Sequence, residues 1–117
     1  MVKIGTEIEI SASHRLNLPY DSKCLATHGH NYKIYIELES DTLNPEGMIV
    51  DFSAVKKLVN EWDHTSLNDH VDFSDINPTA ENMATILAIK LKNLRYGIYK
   101  VKVRIYETER NWAEVEV

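Results

Sequence analysis

The chain has 117 residues, 44% hydrophobic and 26% charged, with a formal net charge of −5. That balance predicts one soluble globular domain spanning 1–117 with a modest core, and it excludes a disordered chain. No Lys/Arg run offers the electrostatic footprint of a nucleic-acid binder, and no apolar run approaches the roughly 18 residues of a membrane span.

The first residues carry charge and lack an apolar signal core, so a cytoplasmic location is expected. Residues 2–10 alternate, with Val2, Ile4, Ile8 and Ile10 on one side and Lys3, Glu7 and Glu9 on the other, which predicts a half-buried strand. Cys24, the only cysteine, precludes an internal disulfide and fits a reducing compartment. Alternation returns over 28–39, where Tyr32, Ile34, Ile36 and Leu38 share a face, and Pro45 and Gly47 mark a turn. The period then becomes helical. Phe52, Val55, Leu58, Val59 and Trp62 form one stripe, with Asp51 or Ser53 as N-cap. Met83, Ile86, Leu87, Leu91 and Leu94 form another, in a helix from about Thr79 to Leu94 that Gly97 is suited to end. Two strands close the chain, 98–107 and 112–117. The order ββααββ predicts an α+β fold, an antiparallel sheet with two helices on one face.

His28 and His30 lie two apart on a strand and point to the same face, where both imidazoles can reach one ion. His14 has the parity of Ile8 and Ile10. Antiparallel pairing of the first two strands would bring it beside His28. Three imidazoles with an open fourth position suit a catalytic zinc. Cys24 enters the same strand from a polar loop, where its thiolate would serve as a fourth ligand or as a base. Asp63 and His64 follow the first helix, an arrangement that can orient an imidazole for acid–base work. His70 reads as a loop histidine. Glu107 continues the apolar face of Val101, Val103 and Ile105. A carboxylate there costs several kcal/mol unless paired, which suggests an anchor for a ligand with paired N–H donors.

Five segments in register carry a resemblance that covers essentially the whole chain: Ser11-Ala12-Ser13-His14, Cys24-x-x-x-His28-Gly29-His30-Asn31-Tyr32, Asp63-His64-x-x-Leu67-Asn68, Pro78-Thr79-Ala80-Glu81-Asn82 and Glu107. Together they resemble the 6-pyruvoyltetrahydropterin synthase / 6-carboxytetrahydropterin synthase family. The resemblance implies the T-fold, trimers that close a β-barrel, two trimers stacked as a homohexamer, and sites at subunit interfaces. It implies Zn2+ on His14, His28 and His30, Cys24 as general base, and Asp63 and His64 as the relay with it. It implies that Glu107 grips the pterin's amino-pyrimidine edge and joins the relay, and that Thr79 and Ala80 stand near a neighbour's pterin. The implied substrate is 7,8-dihydroneopterin triphosphate. Arg15 and Lys23 are candidates for its phosphates.

The three residues between Cys24 and His28 resemble the carboxy enzymes, which cleave a carbon–carbon bond, release acetaldehyde and feed 7-deazaguanine (queuosine or archaeosine) synthesis. The animal pyruvoyl type has a longer gap and keeps the three-carbon side chain; it is the alternative. A folate-linked branch has Glu near the Cys position, and Leu25-Ala26-Thr27 contains none. Ile10 departs from the aromatic residue of many relatives. A cupin-like oxygenase would need more strands. A non-catalytic metal- or pterin-binding module would not need Cys24, Asp63 and His64.

Overall fold

Strict alternation over long stretches builds two paired 13-residue strands, and the remaining elements are laid against them. The structure, a computed structural model, describes residues 1–117. Its elements are β1 (Val2–His14), β2 (His28–Ser40), α1 (Phe52–Asn60), β3 (Thr65–Ser66), α2 (Ala80–Lys92), β4 (Ile98–Tyr106) and β5 (Trp112–Glu116). Short 3₁₀ turns lie at Lys23–Leu25, Leu67–Asp69 and Val71–Phe73. The strands form one sheet in the order β3-β1-β2-β4-β5.

Period-2 geometry sends even residues of β1 and β2, and odd residues of β4, to one face. Ile10, Tyr32, Ile34, Ile36, Leu38, Val101, Val103 and Ile105 are buried there. Val55 and Val59 of α1 and Met83, Leu87, Ala88 and Leu91 of α2 join them in one core. The opposite face is charged: Lys3 pairs with Glu37 at 3.4 Å, Arg104 with Glu114 at 2.9 Å and Lys100 with Glu116 at 3.0 Å. Pairs as exposed as these add little to stability but keep the face polar.

The α+β architecture matches the sequence reading, with three differences in detail. First, the sheet gains β3, which pairs parallel to β1 at Ala12↔Thr65 and Ser13↔Ser66. Two residues show no periodicity, so the pattern could not reveal it. Second, α1 stops at Asn60, short of Trp62; its N-cap is Asp51, one of the two residues expected there, whose Oδ1 accepts from the Ser53 N–H at 2.8 Å. Trp62 lies in the following turn, fully buried. Third, Asn93 caps α2, not Gly97. A Cβ on Gly97 would sit 2.5 Å from Thr42 Oγ1 and 2.6 Å from Arg95 Nη1. The glycine leaves room for the Arg95 guanidinium, which donates to the carbonyls of Ile49 and Thr42, both at 2.6 Å, and to Ser40 Oγ at 3.0 Å. One side chain thus ties the end of β2, the 41–50 loop and the α2–β4 turn together. No helix is long and apolar enough to cross a membrane.

Arg95→Ala removes donors from partly buried carbonyl and hydroxyl oxygens, each worth roughly 1–3 kcal/mol when left unmet. Urea unfolding should show a loss of about 2–4 kcal/mol; a loss below about 0.5 kcal/mol, the usual scatter for surface substitutions, would mean that water replaces the guanidinium.

Candidate metal centre

The β1–β2 register places His14 opposite His28 and Ala12 opposite His30. All three histidines therefore lie on the helix-covered face, at the end of the sheet where β1 stops and β2 starts. One ring nitrogen from each lies within 4.8 Å of the others. His14 is almost wholly buried.

The hydrogen bonds fix which nitrogens are free. His14 Nδ1 is 2.8 Å from the Pro78 carbonyl, and His28 Nδ1 is 2.8 Å from the Ala26 carbonyl. A carbonyl only accepts, so both Nδ1 atoms carry the proton. The neutral rings then present bare Nε2 lone pairs, and these two atoms face each other at 3.0 Å. His30 Nε2 is buried with no hydrogen-bond partner. One proton can relieve one such contact, whereas a cation satisfies all three nitrogens. A tetrahedral ion with ~2.05 Å metal–nitrogen bonds needs nitrogens about 3.3 Å apart, so a cluster of this size fits. The carbonyls that hold the Nδ1 protons are the outer-shell partners such sites use to orient their ligands.

Burial pushes the His30 pKa below 6.5; Glu107 opposes this, and His14 and His28 add to it. The neutral ring is the form that binds metal. Tyr32 packs beneath, its oxygen 3.2 Å from His14 Nδ1. Burial, and then the Glu107 charge, raises its pKa, so it stays a neutral phenol.

The other expected site residues are arranged unevenly. Glu107 lies just past β4, its Oε1 3.7 Å from His30 Nε2. Continuing the Lys33↔Tyr106 pairing brings it level with Tyr32. Cys24 is partly buried in the 3₁₀ turn and stands outside the histidine cluster. Asp63 Oδ1 and His64 Nδ1 are 3.0 Å apart, so these neighbours do touch. Asp63 also accepts from the Ser11 N–H at 2.9 Å, and that bond, ahead of His64, holds its carboxyl below the usual range. His64 has a positive φ of 58° and an 81% exposed side chain. Thr79 Oγ1 accepts from the Asn82 N–H at 3.1 Å, and the Thr79 N–H donates to the Asn77 carbonyl at 2.9 Å, so both groups serve the start of α2, where Ala80 is buried. His70 is more than a loop histidine: its Nδ1 lies 3.2 Å from Asp72, which also binds Lys90 at 2.6 Å and Trp62 Nε1 at 3.1 Å.

Sequence reasoning missed the carbonyl of Pro78 and the carboxamides of Asn68 and Asn77. Backbone groups leave no trace in side-chain patterns. The two asparagines fall within or beside recognised segments, which gave their position but not their contacts.

Residues 3–117 match the family model described as 6-pyruvoyl tetrahydropterin synthase. A Bacillus subtilis 6-carboxy-5,6,7,8-tetrahydropterin synthase is 39% identical over 70% of this chain and 60% of its own length. An Archaeoglobus fulgidus relative, given the same name provisionally, is 36% identical over 96% of this chain and 93% of its own. Among solved structures, the Caenorhabditis elegans 6-pyruvoyl tetrahydropterin synthase superposes with a TM-score of 0.73 at 31% identity, covering 99% of this chain and 95% of that one. The α+β architecture described above, two helices on a five-stranded sheet, matches the T-fold of that structure.

Two outcomes follow from the geometry. His28→Ala and His30→Ala should each lower metal bound after dialysis by at least about tenfold, read by elemental analysis; retention near the parent level would place the metal elsewhere. The depressed His30 pKa means that the unfolded chain binds more protons below pH 6.5. Metal-free protein should therefore lose stability as pH falls from 6.5 towards the folded-state pKa, and His30→Gln should lessen that slope; an unchanged slope would mean that His30 is not buried as a neutral ring.

Proposed function

The chain belongs to the 6-pyruvoyl tetrahydropterin synthase family, and from that membership we propose a zinc-dependent carbon–carbon lyase, one T-fold domain over 1–117. The reaction converts 7,8-dihydroneopterin triphosphate and one water to 6-carboxy-5,6,7,8-tetrahydropterin, acetaldehyde and triphosphate. The observation that carries the reading is the cluster of three imidazoles whose nitrogens converge without hydrogen-bond donors between them. The short Cys24–His28 spacing and the names of the relatives favour the carboxy branch.

Zinc held by His14, His28 and His30 would act as a Lewis acid on the side-chain hydroxyls, easing loss of their protons. Cys24 takes a proton from the substrate's side chain as general base. His64, oriented by Asp63, moves protons at the same side chain. Its exposure, and its attachment to the β3 edge of the sheet, support its serving the site of an adjoining subunit in a homohexamer. Both outer edges of the sheet, along β5 and along β1 before β3, offer backbone groups for edge-to-edge pairing into a barrel. Glu107 accepts from the paired N–H donors of the amino-pyrimidine edge and joins the relay. Thr79 and Ala80 place backbone near a neighbour's pterin. The reduced ring supplies the electrons, so no redox cofactor is required. The product enters 7-deazaguanine synthesis in the cytoplasm.

The likeness to the nematode enzyme supports a second reading, elimination of triphosphate with the three-carbon side chain retained. Mass spectrometry of the products of zinc-loaded protein and 7,8-dihydroneopterin triphosphate, with an acetaldehyde assay, decides between them. We expect 6-carboxytetrahydropterin and acetaldehyde in equal amounts. A 6-pyruvoyl product without acetaldehyde moves the chain to the other branch, and intact substrate overturns both. Cys24→Ala should lower turnover by about 10²–10⁴-fold with metal retained; loss of the metal would make Cys24 a ligand instead of a base.

A further inference from the structure

Along its outer edge β1 is paired by a succession of different groups. At Ser11, the N–H donates to Asp63 Oδ1 and the carbonyl accepts from the His64 N–H at 2.6 Å. At Ala12 and Ser13 the partner is β3, which ends at Ser66. Beyond it, side chains continue the ladder. The Arg15 N–H donates to Asn68 Oδ1 at 2.8 Å, and Asn68 Nδ2 donates to the Arg15 carbonyl at 3.0 Å. Two residues on, the Asn17 N–H donates to Asn77 Oδ1 at 2.8 Å, and Asn77 Nδ2 returns a bond to the Asn17 carbonyl at 3.0 Å. A carboxamide offers the same donor and acceptor as a peptide group, so each asparagine acts as one rung of a strand.

Residues 15 and 17 bond to one side, and Leu16, between them, bonds to the other, as in an extended strand. The Leu16 N–H donates to the Cys24 carbonyl at 2.8 Å. This is the one backbone–backbone hydrogen bond spanning the loop between β1 and β2; the others within it, Leu25 to Ser22 and Ala26 to Lys23, are local to the 3₁₀ turn. The Cys24 N–H is taken by Ser22 Oγ at 3.1 Å. A continuous path therefore runs from Asn68 through the 15–16 peptide to Cys24, starting one residue after the ligand His14.

We propose that Asn68 is a positioning residue for Cys24: its two-point clamp on Arg15 sets where the thiol stands relative to the histidine cluster. The inference rests on the reading of Cys24 as the base. Asn68 touches neither the ligand nitrogens nor the reacting atoms. Its effect comes through geometry, where a displacement of about 1 Å can lower a rate 10²-fold.

The test uses zinc-loaded Asn68→Ala and Asn68→Asp. The aspartate keeps an acceptor for the Arg15 N–H but loses the donor to its carbonyl, and it also serves if the alanine variant does not fold. Five quantities are read: metal per chain, thermal stability, KM, kcat, and the pH profile of Cys24 alkylation by iodoacetamide without substrate. We expect metal and KM within about twofold of the parent, kcat about 10- to 100-fold lower in Asn68→Ala with Asn68→Asp between, and an altered alkylation profile. Parent-like kcat and alkylation would overturn the inference. So would a joint fall in metal, KM quality and thermal stability, which signals general loosening. If the parent itself does not turn over the pterin, the proposed function fails, and the alkylation profile alone still decides whether Asn68 positions the thiol.

Discussion

The pairing of β1 with β2 is the constraint on which the rest of the site depends. It runs unbroken from Val2↔Ser40 to His14↔His28. Because side chains alternate, a slip of one residue would turn a strand's whole apolar set to the charged face and carry its histidines with it. Ile10, Tyr32, Ile34, Ile36 and Leu38 prevent that slip, since all are buried in the core with the helices. The hydrophobic register and the ligand register are thus the same register. Once it is set, the start of α2 completes the arrangement: the Thr79 cap fixes the turn, and the Pro78 carbonyl just before it holds His14 in the tautomer whose Nε2 is bare.

The site's parts differ in how firmly this chain alone fixes them. His14 is buried, burial favours the neutral ring of His30, and Glu107 stands beside His30. His64 projects from a backbone turn with positive φ and keeps only Asp63 as a side-chain partner. A small chain with one modest core has little interior in which to enclose a substrate. Under our proposal it builds the metal cluster from its own sheet and leaves the acid–base histidine at an edge, where an adjoining subunit can receive it.

Much of this was legible in the sequence, for physical reasons. Alternation located β1, β2, β4 and β5 because each has one face in the core. Helical spacing located α1 and α2 for the same reason. The His28-Gly29-His30 spacing predicted two ligands on one face, and parity brought in His14. What escaped was whatever lacks a period. β3 is two residues of Thr and Ser, Arg95 works through a guanidinium aimed at carbonyls, and Asn68 and Asn77 imitate peptide groups; none leaves a hydrophobic trace. Gly97 was read as a helix stop, yet its role is to make room for Arg95. Glu107 was read as a carboxylate on the strand's inward face, and its Oε1 lies 3.7 Å from His30 Nε2.

X-ray absorption at the zinc edge of the metal-loaded protein tests the central claim most directly, because it reads the ligand set without relying on turnover. The account predicts three imidazole nitrogens at about 2.0–2.1 Å, a light-atom fourth ligand, and no sulfur. A sulfur shell at about 2.3 Å, or fewer than three imidazoles, would contradict it: the first would make Cys24 a ligand, and the second would mean that the register of β1 and β2 does not build the site.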